Sequence, residues 1–284
     1  MIQDILPMKY KVEYQSASPL PEDTIIVFEE RNVLLCQENE LLRFPKFKEF
    51  NCSIEEYEVQ NIEFRYLFSV DDERFFMPDT HNSVKLPFPE GCELMADSSI
   101  RTLVPSHLAF VGSIAMQLYQ WYNTHRFCGR CAAETGHHLT ERAVQCPDCS
   151  LVAYPKIQPA VIVAVVDGDR LLVTRNRGRT TGSLSVVAGF GEIGETYEDT
   201  IRREVYEETG IHVKNIKYYK SQPWGFSSTL LAGFYCELDG DPTITIDNNE
   251  LSEAMWMSRE ELPPASNNVS ITAEMIEAFR IGTV

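Results

Sequence analysis

The stretch Gly189-Phe-Gly-Glu-Ile-Gly-Glu195-Thr-Tyr-Glu-Asp-Thr-Ile-Arg-Arg203-Glu204-Val205-Tyr-Glu207-Glu208-Thr-Gly210-Ile211 decides the fold class and the chemistry. Three glycines in its first six residues predict a sharp bend that brings bare backbone close to another group. A helix is expected from about Tyr197 to Thr209, with Gly210 at its C′ position. Ile201 and Val205 mark its buried side, with Thr200 beside them. Glu204 and Glu208 stand four residues apart, about 40° around the axis, and Glu207 flanks the same face. Carboxylates so placed repel one another, and they lie near the helix C-terminus, where the macrodipole disfavours negative charge. A hard, oxygen-seeking cation is the simplest compensation. Mg²⁺ or Mn²⁺ fits, since it takes a carboxylate or two together with substrate phosphates. Arg203 can hold one carboxylate in place by a bidentate pair. A plain solvated Glu-rich helix face is the competing reading, and it explains neither the glycines nor the arginine.

Upstream, Ala160–Val166 and Arg170–Thr174 read as two strands paired across a turn containing Gly168. Before them come Cys128-Gly-Arg-Cys131 and Cys146-Pro-Asp-Cys149, four cysteines within 22 residues and 14 residues between the pairs. This is zinc-ribbon spacing. Four thiolates close a tetrahedron and leave no position for water, so one structural Zn²⁺ per chain is expected. A disulfide cluster is the alternative, and it suits an intracellular-looking chain poorly. Cys36, Cys52, Cys92 and Cys236 are scattered singly and read as small buried hydrophobes. Residues 9–100 read as strands and turns, with strands at Lys9–Gln15, Thr24–Glu29, Val33–Cys36, Ile62–Val70 and Arg74–Met77. A helix follows Pro105, with Ser106 as its N-cap and Leu108, Val111, Ala115, Leu118 and Tyr122 on one stripe. The expected domains are 1–126, β-rich and ending in that helix, 127–156, the ribbon, and 157–284, an α/β domain.

Composition narrows the function classes. The 284 residues are 44% hydrophobic and 24% charged, ordinary for a globular chain. The longest apolar run is strand-sized, well short of the ~18 residues that span a bilayer, so no membrane partner is expected. Met1-Ile2-Gln3-Asp4 lacks a basic n-region and an apolar h-region, which points to a cytoplasmic protein. The net charge of −17 repels bulk nucleic acid and anionic membrane. A small anionic substrate still binds where local cations or metal ions neutralise it.

The pattern Gly189-x₅-Glu195-x₇-Arg203-Glu204-Val205-x-Glu207-Glu208-x-Gly210-Ile211 resembles the Nudix box at all nine of its specified positions in 23 residues. The resemblance implies a Nudix hydrolase with an α/β/α sandwich and mixed sheet, hence an α+β chain overall. It also implies cleavage of a nucleoside diphosphate linked to another moiety, with Glu204, Glu207 and Glu208 as catalytic metal ligands. Downstream, Ser221-Gln222-Pro223-Trp224-Gly225-Phe226-Ser227-Ser228-Thr229 is similar to the S-Q-P-W-P-F-P-x-S signature of NADH pyrophosphatases. Gly225 and Ser227 stand where proline is usual, which predicts a looser loop. Trp224 and Phe226 offer flat faces for a nucleobase or nicotinamide, though a lone W-x-F is more often core.

Three further segments agree with that family. Tyr154-Pro155-Lys156-Ile157-x-Pro159-Ala160 resembles its linker after the ribbon. Glu250-Leu-x-Glu253-Ala254-x-Trp256 resembles a segment whose first glutamate is a further metal ligand, here Glu250, with Glu253 a weaker candidate. Ser270-Ile271-Thr272 is similar to S-I-A, whose third residue lies against substrate. The resemblance further implies the Ala188 carbonyl as a metal ligand and Arg101, Tyr154, Gln222–Thr229 and Thr272 as substrate contacts. Two or three Mg²⁺ or Mn²⁺ ions per site are implied, with a homodimer as the assembly. The implied reaction converts NAD(H) to AMP and nicotinamide mononucleotide. Removal of NAD caps from RNA 5′ ends, hydrolysis of ADP-ribose or dinucleoside polyphosphates, and a non-catalytic nucleotide-sensing regulator are the alternatives.

Overall fold

The computed structural model describes residues 1–50, 62–79, 86–177, 184–246, 250–265 and 269–284. The chain divides into two units, each described by itself: Asp4–Lys156 with Gly225–Ser227, and Met1–Gln3 with Ile157–Trp224 and Ser228–Val284.

The first unit contains the N-terminal strands, one long helix and the ribbon. Its strands are β1 (Tyr10–Lys11), β2 (Thr24–Ile25), β3 (Phe28–Glu29), β4 (Asn32–Glu38), β5 (Leu41–Arg43), β6 (Glu63–Val70), β7 (Glu73–Asp79) and β8 (Cys92–Ala96). Sheet order is β1-β6-β7-β2 in one sheet and β3-β4-β5 in the other, where β8 also pairs with β4. The strand expected over Thr24–Glu29 is two strands in different sheets. Ile26 donates its N–H to Phe76 O (2.8 Å) on β7, whereas Val27 O accepts from Leu34 N (2.9 Å) on β4. The chain changes sheets between those two residues. Lys9–Gln15 is likewise paired only at Tyr10 and Lys11. Helix α1 (Ser106–Thr124) begins one residue earlier than expected, with Pro105 in the N-cap position and no side-chain cap from Ser106. It is buried on more than one stripe, through Ala109, Phe110, Val111, Ala115, Met116, Leu118, Trp121 and Tyr122.

Two of the four single cysteines depart from expectation. Cys36 and Cys92 are directly opposed on β4 and β8 and form a disulfide. Single spacing in sequence says nothing about register, and register is what pairs them. Cys236 is the small buried hydrophobe expected, and Cys52 lies outside the described residues. The ribbon contributes β9 (Gly136–His137), β10 (Val144–Gln145) and β11 (Val152–Ala153), ordered β11-β10-β9.

The second unit is built on β12 (Gln158–Asp167), which contains the apolar run Ala160–Val166. With β13 (Arg170–Asn176), β14 (Val187–Phe190), α2 (Tyr197–Thr209), β15 (Val213–Trp224), β16 (Thr229–Leu238), β17 (Leu251–Ser258) and α3 (Ile271–Arg280) it forms a mixed six-stranded sheet flanked by helices. β12 runs parallel to β16 and antiparallel to β13 and β14. Successive side chains of a strand point to opposite faces. Accordingly Val161, Val163 and Val165 pack with Ile201 and Val205 of α2. Ile162 and Ala164 pack with Ile271, Met275 and Phe279 of α3. The result is an α/β/α sandwich, and the whole chain is α+β. Among the described residues no helix is long and apolar enough to cross a membrane.

Candidate active site

Helix α2 spans the residues expected of it. Thr196 caps it through a reciprocal box with Asp199, and Gly210 ends it at φ +71°, a left-handed conformation that glycine adopts without strain. The glycine-rich entrance turns at Ile193–Gly194 and brings bare backbone close to another group at Gly189, as expected. Gly189 lies within β14, paired with Val161, and only Gly194 has a positive φ, +96°. What Gly189 supplies is space: a Cβ there would overlap the Glu204 carboxylate. Glu204 therefore lies over bare strand backbone, next to Ala188.

Arg203 organises the acidic face. Its Nε and Nη2 donate to Glu195 Oε1 (2.6 Å) and Oε2 (2.8 Å), the bidentate pair anticipated for it. Its Nη1 reaches Glu204 Oε1 (2.8 Å) and Glu207 Oε2 (3.0 Å), and Nη2 also donates to Phe190 O (2.9 Å). Glu195 further accepts from Thr200 Oγ1 (2.9 Å) and Glu192 N (3.0 Å). These donors, Arg203 first, hold its carboxyl down at about 2. Glu195 is the anchor of the arrangement, and its only sequence signal is its fixed place in the box.

Burial, opposed by Arg203 but reinforced by the charges of Glu207 and Glu250, raises the Glu204 carboxyl above its ordinary range. Glu204 and Glu208 are largely buried, whereas Glu207 and Glu250 are exposed. Glu253 lies outside this set and pairs with Arg175 at 2.8 Å. A half-buried carboxylate, Glu204, with the charges of Glu207 and Glu250 near it is a donor arrangement suited to a hard divalent cation.

The other sequence candidates fall in several places. Gln222 is fully buried: its Nε2 donates to Val269 O (2.9 Å) and Gln3 Oε1 (3.0 Å), and its Oε1 accepts from Ile271 N (2.7 Å). It holds the N-terminus of α3, where Thr272 is half-buried. Pro223, Trp224 and Ser228 are half-buried, and Thr229 is buried at the start of β16. Gly225 is buried against α1, where a Cβ would overlap the Ser113 carbonyl. Close packing, not a loosened loop, is thus the reason proline is absent at Gly225. Ser227 is exposed, and Arg101 stacks over the Phe226 ring at 4.5 Å. Tyr154 is exposed and donates to Glu141 Oε2 (2.8 Å).

In the ribbon, ligand atoms of Cys128, Cys131, Cys146 and Cys149 all lie within 4.8 Å of one another, the one such cluster among the described residues. Backbone N–H groups of Arg130 and Cys131 hold the Cys128 thiol down at about 6. Four convergent sulfurs fit Zn²⁺.

Residues 156–279 match the NUDIX domain and residues 123–154 the NADH pyrophosphatase zinc ribbon domain. A curated relative, the NAD-capped RNA hydrolase NudC of Pseudomonas fluorescens, is 35% identical over 210 residues, 74% of this chain and 75% of that one. The protein of that name from Vibrio parahaemolyticus is 39% identical over 173 residues, 61% of this chain and 66% of that one. Among solved structures, a NUDIX hydrolase from Nitrosomonas europaea matches with a TM-score of 0.48 and 20% identity, covering 55% of this chain and 90% of that one.

Proposed function

Because the chain belongs to the Nudix hydrolase family, with a ribbon of the NADH pyrophosphatase type, we propose that it hydrolyses the pyrophosphate of NAD(H) to AMP and nicotinamide mononucleotide. The observation that carries this reading is the Glu204 carboxylate, lodged over Gly189 and flanked by Glu207 and Glu250. Glu204, Glu207, Glu208, Glu250 and the Ala188 carbonyl would hold Mg²⁺ or Mn²⁺. Such ions, when bound, neutralise pyrophosphate charge and acidify a water. The chain's own residues do the rest. Arg203, anchored by Glu195, fixes the Glu204 and Glu207 carboxylates in direction. Trp224 offers a stacking face to a base, and Thr272 and Ser228 offer hydroxyls. Gln222 acts from behind, by holding the start of α3. The protein works in the cytoplasm as a homodimer in this reading, which light scattering on the purified chain tests for assembly.

Removal of NAD caps from RNA is the second reading, and the names of the curated relatives favour it. It uses the same bond and the same carboxylates. One assay separates the candidates: product release from NADH, NAD⁺, ADP-ribose and NAD-capped RNA, side by side with and without Mg²⁺ or Mn²⁺. AMP and nicotinamide mononucleotide from NAD(H) are expected. ADP-ribose as the much better substrate would overturn the dinucleotide reading and leave the reaction class standing.

A further inference from the structure

Residues Met1–Gln3 belong to the second unit, whereas the chain from Asp4 to Lys156 belongs to the first. Each of the three is fixed where it lies. Met1 packs against the cluster that includes Ile271 and Met275 of α3. Ile2 is buried and donates its N–H to Val269 O (3.1 Å). Gln3 donates from Nε2 to Ser221 O (3.3 Å), and its Oε1 accepts from Gln222 Nε2 (3.0 Å).

These contacts meet at the Gln222 amide. It is fully buried, and its two N–H groups and its oxygen reach three separate segments: Gln3 Oε1, Val269 O (2.9 Å) and Ile271 N (2.7 Å). A reversed amide would set N–H against the Ile271 N–H and oxygen against the Gln3 and Val269 oxygens, so one orientation alone satisfies all three. Gln222 and Trp224 lie two apart on β15, opposite Leu231 and Thr229, and so project from the same face of the sheet. Thr272 follows Ile271 directly on α3. Gln222 thus ties the strand end that carries Trp224 to the helix start that carries Thr272. Gln3 supplies the acceptor for one of its two N–H groups.

We infer that Gln3 is a positioning residue for substrate: through Gln222 it holds Trp224 and Thr272 in fixed relation to each other. The inference rests on the hydrolase reading above, in which those two residues meet the substrate. Without the Gln3 oxygen, one N–H of a buried amide has no acceptor, which costs more than the hydrogen bond itself contributes. The amide relieves this by turning, and the contact to Ile271 N goes with it. The strand end and the helix start then move separately, and substrate has to order them on binding. Glu204, Glu207, Glu208 and Glu250 all lie outside these two segments, so the loss falls on substrate binding rather than on metal binding or turnover.

The test compares the full-length, zinc-loaded wild type with two variants. Gln3→Met keeps the length of the side chain and removes its oxygen, whereas Gln3→Glu keeps an oxygen for Gln222 and gives up the donation to Ser221 O. With NADH at saturating Mg²⁺, Gln3→Met should raise KM about three- to tenfold, the range of one hydrogen bond, and leave kcat within about twofold. Its half-saturating Mg²⁺ concentration should not move. Gln3→Glu should restore KM to near the wild-type value. Hydrogen exchange gives a readout that needs no turnover: the Ile271 amide should exchange about tenfold faster in Gln3→Met, while helix α2 keeps its protection. An unchanged KM in Gln3→Met, a fall in kcat as large as the rise in KM, a Gln3→Glu enzyme as impaired as Gln3→Met, or unchanged exchange at Ile271 would each overturn the inference. A wild type that leaves NADH intact is a different failure. It would overturn the hydrolase reading and the role of Gln3 towards substrate with it, whereas exchange at Ile271 would still report whether Gln3 holds Gln222.

Discussion

At the scale of single residues, the site turns on what surrounds Glu204. Two glycines make a matched pair of tests. At Gly189 an added Cβ meets the far end of the Glu204 side chain, which can rotate away. At Gly225 it meets the Ser113 backbone, which cannot. Gly189→Ala should therefore leave the melting temperature within about 4 °C, roughly 1 kcal/mol, yet weaken the half-saturating Mg²⁺ concentration and lower kcat. Gly225→Ala should do the reverse and lower stability through overpacking by about 1–3 kcal/mol. A metal titration and a thermal melt on both variants check this. Among the carboxylates, Glu207→Gln and Glu208→Gln should lower kcat on the order of 10²–10³-fold, the scale of losing one electrostatic stabiliser. A Glu208→Gln enzyme of normal activity in saturating Mg²⁺ would remove that residue from the metal set. Glu195 gives a pH signature. Its carboxyl falls from 4.5 unfolded to about 2 folded, held chiefly by Arg203. The stability from that pair is complete above pH 4.5 and is lost as pH falls towards 2. The melting-temperature gap between the wild type and Glu195→Gln should close across that window and stay constant above it.

At the scale of elements, legibility in the sequence depended on whether the signal was local. Helix α2 was readable from its periodic Ile201 and Val205 and from Gly210, because caps and stripes are set by residues a few positions apart. The ribbon was readable for the same reason: each Cys-x₂-Cys turn brings two sulfurs together within four residues. Sheet membership was not readable. Residues Thr24–Phe28 are all buried, so they show no alternation that would reveal where the chain leaves one sheet for another. Cys36 and Cys92 are 56 residues apart and meet only through the β4/β8 register. The amide of Gln222 finds its partners at Gln3, Val269 and Ile271, contacts that span up to 219 positions. The ribbon also carries a prediction. Its strands are two residues long and cannot close a core unaided, so convergence of the four sulfurs on an ion should be coupled to folding. Elemental analysis should find one zinc per chain, and strong chelation should lower the unfolding midpoint. A zinc-free protein of unchanged stability would overturn the structural assignment.

At the scale of the molecule, charge separates the two substrate readings that share one set of carboxylates. The chain carries 25 Lys and Arg against 42 Asp and Glu. Several of those cations are already bound to carboxylates, among them Arg43, Lys46, Arg74, Arg175, Arg203 and Arg280. A protein that grips Z phosphates of a single strand loses binding with a slope near −0.7Z in log salt, because each neutralised phosphate releases counterions. With so acidic a surface, the RNA body beyond the capped end should add few such contacts. The expected result is a slope for kcat/KM on NAD-capped RNA that differs from the slope on free NAD(H) by less than about 2, or roughly three phosphates. Lengthening the RNA should then leave kcat/KM nearly unchanged. The measurement is kcat/KM for both substrates between 50 and 200 mM salt at fixed Mg²⁺, with RNAs of two lengths. A difference steeper than about 4, growing with RNA length, would mean that the chain gathers its cations along one face despite its net charge. Capped RNA would then be the substrate that its surface is built to hold, with the free dinucleotide a fragment of it.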